Sequence, residues 1–260
     1  MMAVADGEMT DAPKTIPISR FRVEDWMVCG PGRETREDWI SWSRGVGNRS
    51  DGKAAPAATL PPMLRRRISV IGQMAFRASF ALSEQRRARL IFCSRHGEFD
   101  RTLRILQSLI AREPISPADF SLSVHNALAG LLSIAWGNTA GHSAIAAGAD
   151  SFGFGLLEGV ACLKASDDRV MVVYFDDLLP GPYDELGDSA ETCVALAILL
   201  QPPRLDSNDF SLELAPRERA AQRRPSATAQ ALDFIRFMLS GERERMSLGE
   251  RVQWRWRRCG

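Results

Sequence analysis

Few side chains in this sequence could do covalent chemistry, and their spacing limits what they could do. Gly141-His142-Ser143-Ala144-Ile145 begins like a nucleophile elbow. In that motif the serine stands on a strand-to-helix turn so tight that only glycine fits two residues later. Ile145 takes the glycine's place, and Ile145-Ala146-Ala147 reads as strand. Ser151 is a second hydroxyl, set just before an apolar run. Without a positioned base it is a poor nucleophile at neutral pH, and its place suits a helix N-cap. Acyl transfer through Ser143 or Ser151 is the enzyme reading these residues permit. His125-Asn126 is the best polar pair, suited either to lining an entrance or to holding a helix start by hydrogen bonds. No carboxylate adjoins it. Arg65-Arg66-Arg67 and the Arg251 to Arg258 stretch are the basic clusters. They suit a solvated surface or bidentate contact with phosphate.

Composition narrows the field. The 260 residues are 45% apolar and 25% charged, ordinary for a globular domain with a real core. A net charge of +1 gives no field that would select nucleic acid. Three widely spaced histidines and no C-x-x-C pair argue against a metal site. Five cysteines at 29, 93, 162, 193 and 259 read as reduced, mostly buried thiols of a cytoplasmic protein. No apolar run reaches the roughly 18 residues that span a bilayer. Residues 1–15 read as a disordered extension without the pattern of a signal peptide, and 16–260 as one domain.

The elements that must position these groups alternate between two periods. Ile16 to Cys29, Arg89 to Ser94, Ser143 to Ala147, Arg169 to Phe175 and Thr192 to Gln201 read as strands. Asn208 to Leu214 reads as an edge strand, and Arg251 to Arg258 as the last strand with Trp254 and Trp256 on one face. Helices are predicted over Glu34 to Arg44, Met63 to Glu84, Phe99 to Arg112, Val124 to Trp136, Phe152 to Lys164 and Ala227 to Leu239. In the third of these, Leu103, Leu106, Leu109 and Ile110 are expected to face inward. Ser116-Pro117 reads as a turn, and Gly45 to Pro62 as a loop. The near-continuous run RVMVVYF suits the centre of a parallel sheet. The alternation argues for an α/β fold whose mixed sheet is covered on both faces.

Three stretches carry a resemblance: Leu60-Pro61-Pro62-Met63-Leu64-Arg65-Arg66-Arg67, Ser123-Val124-His125-Asn126-Ala127, and Gly148 to Glu158. With them the chain resembles the N-terminal half of a β-ketoacyl synthase, the thiolase-fold condensing enzyme of fatty acid and polyketide assembly. It is most similar to short ketosynthase-like proteins of aryl polyene-type clusters. The resemblance implies a half-thiolase domain over 16–260 and a cysteine nucleophile in a T-A-C-x-S-like turn. Here that turn falls on Gly148, Ala149 and Asp150, none of which forms a thioester. The two histidines of the family's second half have no counterpart. The implied role is therefore that of a non-catalytic, chain-length-factor-like subunit. It would pair with a catalytic ketosynthase as a heterodimer and serve an acyl carrier protein, with no cofactor. The edge strand Ser143 to Ala147 would form the interface. Leu131, Leu132, Phe152 and Phe154 are the acyl-cavity candidates, His125 and Asn126 the entrance, and Arg65, Arg66 and Arg67 the carrier contacts. A structural remnant with no acyl-chain role is the third possibility.

Overall fold

The structure is a computed structural model that describes residues 16–46, 60–82, 87–165, 167–186, 193–204, 206, 208–217 and 227–260. The proposed N-terminal extension lies outside these residues. Eight strands form one sheet in the order β3-β2-β4-β5-β1-β6-β8-β7. They are β1 (Ile16–Cys29), β2 (Arg89–Cys93), β3 (His142–Ile145), β4 (Val170–Asp176), β5 (Val194–Gln201), β6 (Asp209–Pro216), β7 (Glu244–Leu248) and β8 (Val252–Cys259). Only β2 makes parallel pairs, with β3 and with β4, and the remaining neighbours are antiparallel. β4 is buried along its whole length, as its unbroken apolar run requires. It lies between one parallel and one antiparallel neighbour, so the centre of the sheet is mixed. β6 is an interior strand, not an edge. It is held between the first half of β1 and β8 because β1 bulges near Val23 and passes from one partner to the other.

Eight α-helices accompany the strands among the described residues: α1 (Arg36–Ser43), α2 (Pro62–Arg65), α3 (Val70–Phe80), α4 (Phe99–Ala111), α5 (Pro117–Leu122), α6 (Ala127–Trp136), α7 (Ser151–Ala165) and α8 (Ala227–Ser240). The helix expected over Met63 to Glu84 is two helices. Ser69 interrupts it and caps α3, its Oγ accepting from the Gly72 N–H at 3.1 Å. Likewise Ser116 caps α5 by accepting from Asp119 N at 3.2 Å, so the expected turn opens a short helix. Pro117 is tolerated there because the first turn needs no N–H from it.

Alternate residues of the central strands feed two cores. On one face Phe92, Met171, Val173 and Leu199 pack under α3 and α6. On the other, Ile91, Val172, Tyr174 and Ile198 pack under α7 and α8, joined by Trp254 and Trp256 of β8. The sheet's mixed pairing and two covered faces give a thiolase-like α/β fold.

α4 is turned the opposite way from expectation. Leu109 and Ile110 face solvent, Ile110 at 84% exposure, and Leu106 is exposed too. The inward face is polar. Arg101 is buried, its Nε donating to the buried Glu98 at 2.7 Å and its Nη1 to Asp119 at 2.8 Å. Arg101 Nη2 donates to the Arg67 carbonyl, and Ser69 Oγ to Glu98. A charged network with this many satisfied partners sets the helix rotation, and the apolar stripe is left outside.

Candidate functional site

The site is built around the start of α7. Gly148–Asp150 form a 3₁₀ turn that feeds the helix directly. Gly148 has φ +60°, and a Cβ there would press on the Glu250 carboxylate. Asp150 has no solvent exposure. Its Oδ1 accepts from Trp254 Nε1 at 2.7 Å, and its Oδ2 from the backbone N–H groups of Glu250 at 3.0 Å and Arg251 at 2.9 Å. The turn between β7 and β8 is thereby tied to the turn before α7. A Cβ at Gly249 would overlap Asp150 Oδ1, and one at Gly153 would overlap the Trp254 ring. Both glycines are required by close approach rather than by turn geometry.

Ser151 is fully buried, and its hydroxyl is spent locally. It donates to the Gly148 carbonyl at 2.7 Å and accepts from Ala147 N at 3.0 Å. These bonds close the turn behind the serine. The expected N-cap would accept from an N–H ahead of it, so Ser151 staples the turn instead of capping α7. Gln230 of α8 supplies an acceptor at the helix start, taking the Gly153 N–H at 2.6 Å. Ser143 lies inside β3, paired with Ile91, and Gly148–Asp150 stand between that strand and α7. A nucleophile elbow is therefore absent at Ser143. Among the described residues neither serine has a histidine or carboxylate hydrogen-bonded to it.

The acyl-cavity candidates do not converge. Phe152 sits deep under the sheet against Tyr174, Phe234 and Trp256. Phe154 is partly buried and packs edge-on against Trp254 at 5.1 Å. Leu132 is fully buried on the opposite face, with Leu131 partly buried beside it on α6. His125 and Asn126 precede α6. Asn126 makes no side-chain cap bond, and His125 Nε2 is buried without a hydrogen-bond partner among the described residues. The imidazole lies against Gly97. Arg65, Arg66 and Arg67 end α2 and form the turn into α3, with no side-chain ion pair among the described residues. Arg66 and Arg67 are exposed beside Met63 and Val70.

Other polar groups are structural. The buried Asp176 carboxylate accepts from Ser94 Oγ and from the backbone N–H groups of Arg95 and His96. Burial pushes its pKa up against those bonds. Burial also raises Cys93, and lifts Cys29 to about 11. Neither thiol is poised as a nucleophile. Among the described residues no three His, Cys, Asp or Glu side chains are grouped to hold a metal ion. No helix there is long and apolar enough to cross a membrane.

Among the described residues one edge of the sheet is open, where β3 pairs only with β2. Apolar side chains stand exposed on three helices packed in series: Ile134 at 80% on α6, which packs against β3, Phe120 at 65% on α5, which packs against α6, and Leu109 and Ile110 on α4, which packs against α5. Sequence reasoning named β3 and the helix α4, but it turned α4 the wrong way, missed α5, and missed the tie from Asp150 to Trp254. Glu98 and Arg101, three apart, were the available signal for the inward polar face.

The chain belongs to the β-ketoacyl synthase N-terminal-domain family, whose model matches residues 39–257. Among solved structures it is similar to a chain of the ketosynthase ApeO in complex with its chain length factor ApeC from Xenorhabdus doucetiae. The identity is 29% and the TM-score 0.82, covering 92% of this chain and 100% of that one. The complex AntDE:AntF, a type II polyketide carrier protein with its ketosynthase, shares the fold at 11% identity and TM-score 0.67. It covers 92% of this chain and 99% of the other. A β-ketoacyl synthase from Burkholderia phymatum STM815 matches at 10% identity and TM-score 0.52, over 89% of this chain and 71% of that one. No curated protein sequence matches significantly.

Proposed function

We propose that this chain is a non-catalytic, chain-length-factor-like partner of a ketosynthase in polyketide or fatty acid assembly of the aryl polyene type. The carrying observation is Asp150. At the turn where the family holds its thiol, this chain has a carboxylate whose oxygens are taken up by Trp254, Glu250 and Arg251. A group so occupied cannot accept an acyl chain. The 29% identity with a ketosynthase–chain length factor complex supports the same reading.

The edge strand β3, with α6 packed beside it and the exposed apolar side chains of α5 and α4 continuing from α6, is the surface on which the ketosynthase docks as a heterodimer. Of the cavity candidates, Leu131 fits a wall facing that partner, because α6 packs against β3. Leu132, Phe152 and Phe154 act behind it or through this chain's own core. Arg65, Arg66 and Arg67, without carboxylate partners of their own among the described residues, suit the acidic carrier protein. His125 and Asn126 stand at the entrance.

Reconstitution with a ketosynthase from the same genome, its carrier protein and extender units tests the proposal. The expected result is a one-to-one complex and no acyl adduct on this chain by intact mass. Leu131→Ala should lengthen products by one or two methylenes without stopping synthesis. A stoichiometric adduct lost on Ser143→Ala or Ser151→Ala would establish an acyltransferase instead. Unchanged product length with an intact complex would leave a scaffold.

A further inference from the structure

The β7–β8 turn does more than brace the sheet. Its residues lie directly over the turn that precedes α7. Gly249 is buried with its backbone against Asp150 Oδ1, and its N–H closes the hairpin on the Val252 carbonyl at 2.9 Å. Glu250 stands against Gly148. Trp254 fills the space beside Gly153 and reaches back to Asp150. Together these contacts leave Ala149, Asp150 and Ser151 almost without solvent exposure. An acceptor that must meet an acyl thioester needs an open approach, and here the chain's own hairpin occupies it.

We infer that the segment from Gly249 to Trp254 is a plug that seals the acyl-acceptor position, so that restoring a thiol there does not restore acyl transfer. The inference rests on assigning Gly148–Asp150 to the family's nucleophile turn. It adds that inactivity is enforced twice, by the missing thiol and by a built-in lid of the chain's own making. The plug is keyed to small residues. Any side chain at Gly249 would overlap Asp150 and force the turn outward.

Cysteine substitution tests this on the complete chain. Ala149→Cys and the near-isosteric Ser151→Cys, which leave the Asp150 carboxylate in place, are each treated with iodoacetamide in native buffer and in urea, and the labelled peptide is identified by mass. Each new thiol should react on the order of 1,000-fold more slowly in the folded protein, as for a site reached only by local opening. Adding Gly249→Ala to Ser151→Cys or Ala149→Cys should remove most of that protection while circular dichroism stays folded. Native labelling as fast as in urea, or acylation of Ala149→Cys by an acyl thioester, would overturn the inference. So would protection that persists in a folded Gly249→Ala variant, since the core and not the hairpin would then provide it. Ketosynthase binding by the same variants is scored separately. Its loss would count against the proposed function and leave the labelling result standing.

Discussion

Removing the Asp150 carboxylate strands three donors in a dry site: the Trp254 indole and two backbone N–H groups. Asp150→Ala should cost about 3–5 kcal/mol, since unmet buried donors are expensive and the lost bonds are charge-assisted. Asp150→Asn keeps an acceptor and should cost less. Urea midpoints at constant slope would check both. The thiols give a second test at this scale. With Cys29 lifted to about 11, roughly one part in a thousand is thiolate at pH 8. Cys29 and Cys93 should therefore resist native alkylation and react on unfolding, as counted by intact mass. Gly148 to Asp150 was legible as a turn. What Asp150 does there was not, because its partners lie about a hundred residues further along the chain, and spacing reports only local neighbours.

Helix α4 shows what periodicity can and cannot carry. The spacing of Leu103, Leu106, Leu109 and Ile110 marked the helix and its apolar stripe correctly. It could not say which side the protein core would take. That choice was made by Glu98, Arg101 and Asp119, which hold the polar face inward. Arg101→Met should leave the buried Glu98 unpaired and cost about 3–5 kcal/mol in thermal or urea unfolding. Ile110→Asp should behave in the opposite manner. An exposed change of this kind should alter stability by no more than about 0.5 kcal/mol. It should nevertheless weaken ketosynthase binding by about thirtyfold, as expected for a central apolar contact, measured by titration calorimetry. Strands β1, β4 and β5 were legible almost to the residue because their patterns are long. β7 was missed because five residues of mixed polarity give no period to read.

At the scale of the whole molecule, the α7 face of the sheet is closed by α8 and by Trp254 and Trp256. A run of exposed apolar side chains, Leu109, Ile110, Phe120 and Ile134, stands on α4, α5 and α6. The chain alone should therefore self-associate through these helices. Sedimentation velocity should show a concentration-dependent species that Ile110→Asp reduces to monomer. A wild-type chain that stays monomeric at high concentration would place the sticky surface elsewhere. The split strand β1 has a consequence for how the protein is made. Its two halves wait for β5 and β6, so Arg22 emerges from the ribosome about 180 residues before Gln201 arrives to pair with it. At 5–20 residues per second that wait is roughly ten to forty seconds. Asp150 waits in turn about a hundred residues for Trp254. The nascent polypeptide must therefore carry two unfinished hydrophobic faces until these partners are made, and chaperone demand should fall sharply once Trp254 and Trp256 leave the exit tunnel.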